Sequence, residues 1–361
     1  MLRSDDERSK WNGGTMSSMP AAIAETTRGG ITESIHYGVV VAVDAAGQIV
    51  ASVGDPDQVV FFRSSAKPFQ AIPVIESGAA DTFGLTPAEL ALCCASHHGS
   101  PEHQRQVAAM LAKIGLSAAD LQCGCSLTGD AEEAARIVLG LAERTPLQCD
   151  CSGKHAGMLA TIVHEGLSRH DYLDPSHPLQ RRILGIMAGV MRVPAERIVL
   201  GTDGCSLPTF GAPLRAFATA YAALAAPDRV AEGAGREHAA ALDRLRAAMI
   251  AHPENVAGHG GFVTTLMELS GGRVAAKGGA EGLLCLAVPE RELGIAIRVI
   301  DGSFRAHPVV AVAALEQLGI LDDATREAIL DRHSPELRNH NGRLVGEIRP
   351  VYQFASATAV T

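Results

Sequence analysis

The chain has 361 residues, 47% of them hydrophobic but only 4% aromatic, and a formal net charge of −9. That length allows one large domain or two, and the shortage of rings beside abundant Ala and Gly predicts elements packed closely through small side chains. The acidic balance argues against nucleic acid or an anionic membrane as partner, since both need clustered Lys and Arg.

The polar opening MLRSDDERSKWNGG lacks the apolar stretch of a secretory signal, and no segment offers ~18 unbroken apolar residues. A soluble, cytoplasmic protein with a flexible extension over residues 1–26 is expected. HYGVVVAVD (36–44) and QIVASVG (48–54) read as strands joined by an Ala-Ala-Gly hairpin loop, and VVFFRSS (59–65) as a third strand. KPFQAIPVIESG (67–78) reads as a helix whose first turn suits Pro68 and which Pro73 distorts. Thr86-Pro87-Ala88-Glu89 has the form of a capping box with Pro at the first helical position, opening a helix that ends near Cys94. CASHHGS (94–100) is a polar loop, and helical patterns follow at 101–114, 131–143, 155–165, 178–191, 213–225 and 232–251. RVAAKGG (273–279), GLLCLAV (282–288) and LGIAIRVI (293–300) look like successive strands, with a helix after them at about 305–318. Strands at both ends with helices between predict an α/β or α+β sandwich over 27–361, its sheet completed late and a helical part at about 85–260.

Ser64-Ser65-Ala66-Lys67 is a Ser-x-x-Lys motif. If a helix begins at Ser64, the i, i+3 spacing sets hydroxyl and amine on one face. A hydroxyl needs an adjacent base to become a nucleophile, and a lysine serves if burial and nearby cations lower its pKa. The plainer alternative is a capping serine beside a solvated lysine. Context favours chemistry: the motif follows an apolar strand, Ser96 lies on a loop, and Lys277-Gly278-Gly279 lies on a strand. That order is the one found in serine β-lactamases and penicillin-binding proteins. Arg63 is a candidate for pairing with a substrate carboxylate, or else a surface strand-end residue.

Eight cysteines in a large chain without an export signal read as reduced thiols or metal ligands rather than disulfides. Cys151-Ser152-Gly153-Lys154-His155 and Gly201-Thr202-Asp203-Gly204-Cys205 each set a glycine-flanked cysteine near a second donor, a pattern suited to zinc. Lys154 is an unusual ligand because it must first lose a proton, and His155 and Asp203 are the ordinary alternatives. Two unrelated buried cysteines are the alternative to a site. Cys123, Cys125 and Cys149 read as structural, because a one-residue spacing is short for a zinc clip, and Cys93, Cys94 and Cys285 as core thiols. The Gly-rich turn in HPENVAGHGG (252–261) precedes a helix whose N–H groups suit an anion. No organic cofactor is implied.

Together RGGITES (28–34), FRSSAKP (62–68), CASHHGS, CSGKHAGML (151–159), GTDGCSLPT (201–209), HPENVAG and AAKGGAEG (275–282) resemble the L-asparaginases of the Rhizobium etli type, the class 3 or asparaginase II family. The resemblance implies a homodimer of β-lactamase-like fold that splits L-asparagine into L-aspartate and ammonia. It puts a nucleophile at Ser64 with Lys67 as partner, a second pair at Ser96 and Lys277, and a zinc-type site at Cys151, Lys154 and Cys205, with Asp203 and His155 nearby. Arg63, His155 and Asp203 are the expected substrate-binding residues. The rival readings are a β-lactamase or peptidase, a glutaminase, and a non-catalytic zinc-binding protein.

Overall fold

The computed structural model describes residues 20–354, apart from 232 and 234. Strands β1 (Ala21–Arg28), β2 (Ile31–Asp44), β3 (Ile49–Val53) and β4 (Val59–Phe61) open the chain. β5 (Val199–Thr202) and β6 (Pro208–Pro213) lie mid-chain, and β7 (Ala275–Gly279), β8 (Leu283–Val288), β9 (Leu293–Val299), β10 (Glu336–Arg338) and β11 (Leu344–Pro350) close it. One antiparallel sheet runs β10-β11-β1-β2-β9-β8-β7, with β3 also paired to β2. The expected sandwich is therefore present, and its sheet is indeed completed late: Val41 of β2 sits opposite Ala296 of β9.

The two halves of β2 have different jobs. Its first half alternates in exposure and pairs with β1, whereas Gly38 to Val43 is continuously buried beside β9. β8 is buried at all six positions, so both of its faces are covered. The helix Leu214–Ala225, buried everywhere except Arg215, packs on β2, β8 and β9. It comes so close that a Cβ on Gly294 would lie 1.9 Å from the Ala218 carbonyl oxygen. Only glycine fits there, which is the small-residue packing the composition foretold. The helix His307–Gln317 packs on β1, β9 and β11.

The predicted hairpin of β2 and β3 is present. Thr86 caps the helix Pro87–Cys93: its hydroxyl accepts from the Glu89 N–H, and the Glu89 carboxylate accepts from the Thr86 N–H at 2.7 Å. The helix after Lys67 breaks at Ala71 into Lys67–Gln70 and Ile72–Glu76, as Pro73 requires. Three expectations change. The third strand stops at Phe61, and Arg63–Ala66 form a 3₁₀ turn. Residues 21–26, read as part of a flexible tail, form the start of β1, held by β2 and β11, while residues 1–19 lie outside the described part. The helical part also contains a three-stranded sheet, β4-β6-β5. Among the described residues no helix is long and apolar enough to cross a membrane.

Candidate active site

Although aromatics are scarce, four of them gather beneath the 3₁₀ turn that carries Ser64. Phe62 stacks on Phe217 with ring centroids 4.0 Å apart and on Phe69 at 5.8 Å, and Tyr221 packs edge-on to Phe62 and Phe69. The Tyr221 hydroxyl donates to the Ser65 carbonyl oxygen at 2.9 Å, and the Ser65 hydroxyl donates to the Lys277 carbonyl oxygen at 3.0 Å. The turn is thus pinned to both the helix behind it and strand β7 in front. A Cβ on Gly279 would meet the Ser65 hydroxyl at 3.0 Å, so this glycine lets strand and turn approach. Arg63 has φ +46°, a left-handed conformation that costs energy for a residue with a Cβ and sits directly before Ser64.

Ser64 lies where two cavities meet. The first, about 480 Å³, is lined by Ser64, Ser96, His98, Asp150, Lys277 and His307 together with glycines and apolar residues. The second, about 320 Å³, is lined by Arg63, Ser64, Asp150, Asp203 and five cysteines: Cys123, Cys125, Cys149, Cys151 and Cys205. A further cavity of about 500 Å³ beside Arg192 and Arg215 contains none of the expected site residues.

In the first cavity the expected pairing is rearranged. Lys67 Nζ lies 2.8 Å from Ser96 Oγ and 3.5 Å from Asp150 Oδ2. Lys277 Nζ lies 2.7 Å from the same Ser96 oxygen and donates to the Gly278 carbonyl oxygen at 2.8 Å. Ser96 therefore bridges two buried amines, and its loop is fixed by its own N–H on the Val256 carbonyl oxygen at 2.8 Å. The Lys67 N–H donates to the Ser64 carbonyl oxygen, closing the 3₁₀ turn, but among the described residues no hydrogen bond joins the two side chains, so the Lys67 amine is engaged by Ser96 and Asp150 rather than by its i, i+3 neighbour. The two lysines also differ in charge. Burial lowers the pKa of Lys277, and the Lys67 ammonium lowers it further, to about 7. Burial opposes the Lys67 ammonium as well, but the Cys151 thiolate and Asp150 outweigh it and hold Lys67 above its ordinary range. The like-charge effect thus runs from Lys67 to Lys277, the reverse of what a base at Lys67 needs.

In the second cavity Arg63 Nε donates to Asp203 Oδ1 at 2.8 Å, and the Gly204 N–H donates to the same oxygen. Lys154 Nζ lies 3.1 Å from Cys205 Sγ. Hydrogen bonds from Cys149 and Cys205, followed by the Lys154 and Lys67 charges, overcome burial and push the Cys151 thiol well below its usual range. Cys149 and Cys205, which donate, are pushed up. Burial opposes the charge on Lys154, but Cys151, Cys205 and Asp203 outweigh it and raise its pKa. Two sulfurs and one nitrogen, brought together from positions 151, 154 and 205, form a buried donor set of the type zinc takes. Cys149 and Asp150 offer further donors within 4.8 Å of Cys151 and of each other.

Of the expected residues, His155 is displaced. It lines neither cavity: it is fully buried, with Nδ1 2.7 Å from the Tyr172 hydroxyl, and burial followed by the Lys154 charge brings its pKa down to about 3. Its ring packs edge-on against Tyr172, away from both cavities. Asp150 was not singled out in the sequence, and Cys149 was read as structural. Asp150 lines both cavities and reaches Lys67, and Cys149 lies against Cys151 in the wall of the second cavity. The available signal was their position directly before the CSGKH block.

The chain matches the L-asparaginase II family over residues 24–350. No curated protein matches it. Among solved structures, Mglu in its native form in 4.3 M NaCl is 15% identical with a TM-score of 0.38, over 82% of this chain and 59% of that one. A β-lactamase from Mycobacterium bovis is 13% identical with a TM-score of 0.39, over 82% of this chain and 95% of that one. The chain therefore spans only 59% of the Mglu structure's length.

Proposed function

The chain belongs to the L-asparaginase II family, and from that premise we propose that it hydrolyses L-asparagine to L-aspartate and ammonia through an acyl-enzyme on Ser64. The observation that carries this reading is the place of Ser64 at the meeting of a charged cavity and a lysine-lined one. In the charged cavity the Arg63–Asp203 pair is bonded through Nε and Oδ1. Arg63's terminal nitrogens then suit the substrate's α-carboxylate, and Asp203 Oδ2 its α-ammonium. A zwitterion held this way extends its side-chain amide toward Ser64.

Lys277, with a pKa near 7, is the amine able to take a proton near neutrality. As Ser64 Oγ attacks the amide carbon, its proton passes through the Ser96 hydroxyl to Lys277, while Lys67 stays an ammonium that holds Ser96. The base is thereby moved from Lys67, where the sequence motif placed it, to Lys277. Backbone N–H groups of Ser64 and Ala280, which both border the two cavities, are placed to stabilise the oxyanion. The C–N bond breaks, the nitrogen takes the relayed proton, and ammonia leaves. Water activated by the same pair then releases aspartate and restores Ser64. Cys151, Lys154 and Cys205 would be the residues to hold a zinc ion, which would supply positive charge near the substrate carboxylate; Cys205 and Lys154 would have to be deprotonated to ligate it.

Ammonia release measured side by side with asparagine and glutamine tests the reading. An apolar pocket separates two substrates by only ~1–3 kcal/mol per methylene, but the Arg63–Asp203 pair fixes the distance to Ser64. Faster release from asparagine is expected, and release from glutamine alone would contradict it. The proposed assembly is a cytoplasmic homodimer, which sedimentation of the purified protein checks: a single monomer peak would contradict it.

A further inference from the structure

The asparaginase reading explains the charged cavity but leaves the larger one underused. If the amino-acid end of the substrate lies against Arg63 and Asp203, its amide nitrogen points past Ser64 into the 480 Å³ chamber. Departing ammonia needs about the room of one water, roughly 30 Å³. The chamber is far larger, and its wall beyond Ser96 and Lys277 is mostly apolar, built by Ala257, Phe262, Val263 and Phe304 with His98 and His307 at its edges. Phe304 is 57% exposed although it lies in the same cavity wall as the nucleophile, an unusual place to leave a large ring in water. A largely apolar wall is what a substituted amine needs and what ammonia does not use.

We propose that the Phe262–Val263–Phe304 chamber is a leaving-group site, and that the enzyme also hydrolyses asparagine carrying an aryl or alkyl group on its side-chain nitrogen. This rests on the asparaginase reading and adds the substrate class. The chemistry is unchanged. The Ser64 Oγ–acyl bond forms as its proton passes to Lys277, the acyl C–N bond breaks with its electron pair going to nitrogen, and the amine leaves with the relayed proton. Water then cleaves the ester, so one amide and one water give aspartate and one amine. An apolar cavity of about 150 Å³ already holds a benzene ring, so an anilide fits.

The test is aniline release from N4-phenyl-L-asparagine, measured beside ammonia release from asparagine, in wild type, Val263→Trp and Phe304→Ala. The wild type is expected to cleave the anilide with kcat/KM within about tenfold of that for asparagine. Val263→Trp, which fills the chamber, should lower kcat/KM for the anilide at least about tenfold and change that for asparagine less than about twofold. Phe304→Ala, at an exposed position that leaves the core intact, should raise KM for the anilide alone. Asparagine turnover without anilide turnover would overturn the leaving-group site and leave the asparaginase reading standing. Equal losses on both substrates in the variants would overturn the assignment of the chamber. Failure to turn over either substrate would overturn both readings.

Discussion

Each side of Ser64 holds a deeply buried lysine, Lys277 on one and Lys154 on the other, and the two titrate in opposite directions. Lys277 is brought down to about 7, whereas Lys154 is pushed above its ordinary range. Burial lowers both, so burial does not explain the difference. The neighbours do: Lys277 faces the Lys67 ammonium across Ser96, and Lys154 faces the Cys151 and Cys205 sulfurs. One region therefore holds a proton acceptor, and the other an ammonium stabilised by the sulfurs around it. The proposed reaction uses this difference, with proton transfer on the lysine–serine side and substrate ordering on the thiol side.

The largest expected effect removes the nucleophile. Ser64→Ala should cost at least about a thousandfold in kcat while leaving the melting temperature unchanged, because the Ser64 side chain makes no hydrogen bond among the described residues. A thermal melt and an ammonia assay on one preparation check this. Next, Lys277→Met should lower kcat by about a hundredfold to ten-thousandfold, the range of a general base. A loss confined to KM would move Lys277 to the binding side. Breaking the thiol side should do less and do it differently. Cys151→Ser or Cys205→Ser should lower the zinc content of the purified protein and raise KM roughly tenfold, with kcat little changed. A collapse of kcat at constant KM would erase the division between the two regions. The smallest effect is expected from His155→Phe, which replaces a ring that lines neither cavity: a few degrees of melting temperature, with KM for asparagine held within about twofold.

The sequence reading succeeded where the signal is contiguous. The Thr86 capping box, the β2–β3 hairpin, the Pro73 break and the three strands ending at Val299 are each set by neighbours a few residues apart. It failed where pairing is long-range and the pattern weak. β1 has the run AAIAETTR and β11 has LVGEIRP, with a glycine and a proline, and beside their hairpin partners β2 and β10 the two pair with each other across most of the sequence. The residues of the site were largely legible, since Ser64, Lys67, Ser96, Lys277, Arg63, Asp203, Cys151, Lys154 and Cys205 all border the two cavities or bond to residues that do. Their partnerships were not. The spacing of Ser64 and Lys67 puts them on one face, but Lys67 reaches Ser96 and Asp150 instead, because those groups arrive from other elements and offer a buried ammonium its acceptors. No local pattern encodes that choice.

The most direct test of the claim that Lys277 is the base and Lys67 its fixed cation is the pH dependence of kcat/KM for asparagine in wild type and Lys67→Met. A base acts when deprotonated, so wild-type activity should be low in acid and rise through about pH 7, where Lys277 loses its proton. Removing the Lys67 charge removes the repulsion that lowers Lys277, so the same limb in Lys67→Met should move to higher pH and the residual activity should grow in alkali. A wild-type limb at an ordinary lysine pKa of about 10.4, or a limb that stays in place or moves down in Lys67→Met, would contradict the account.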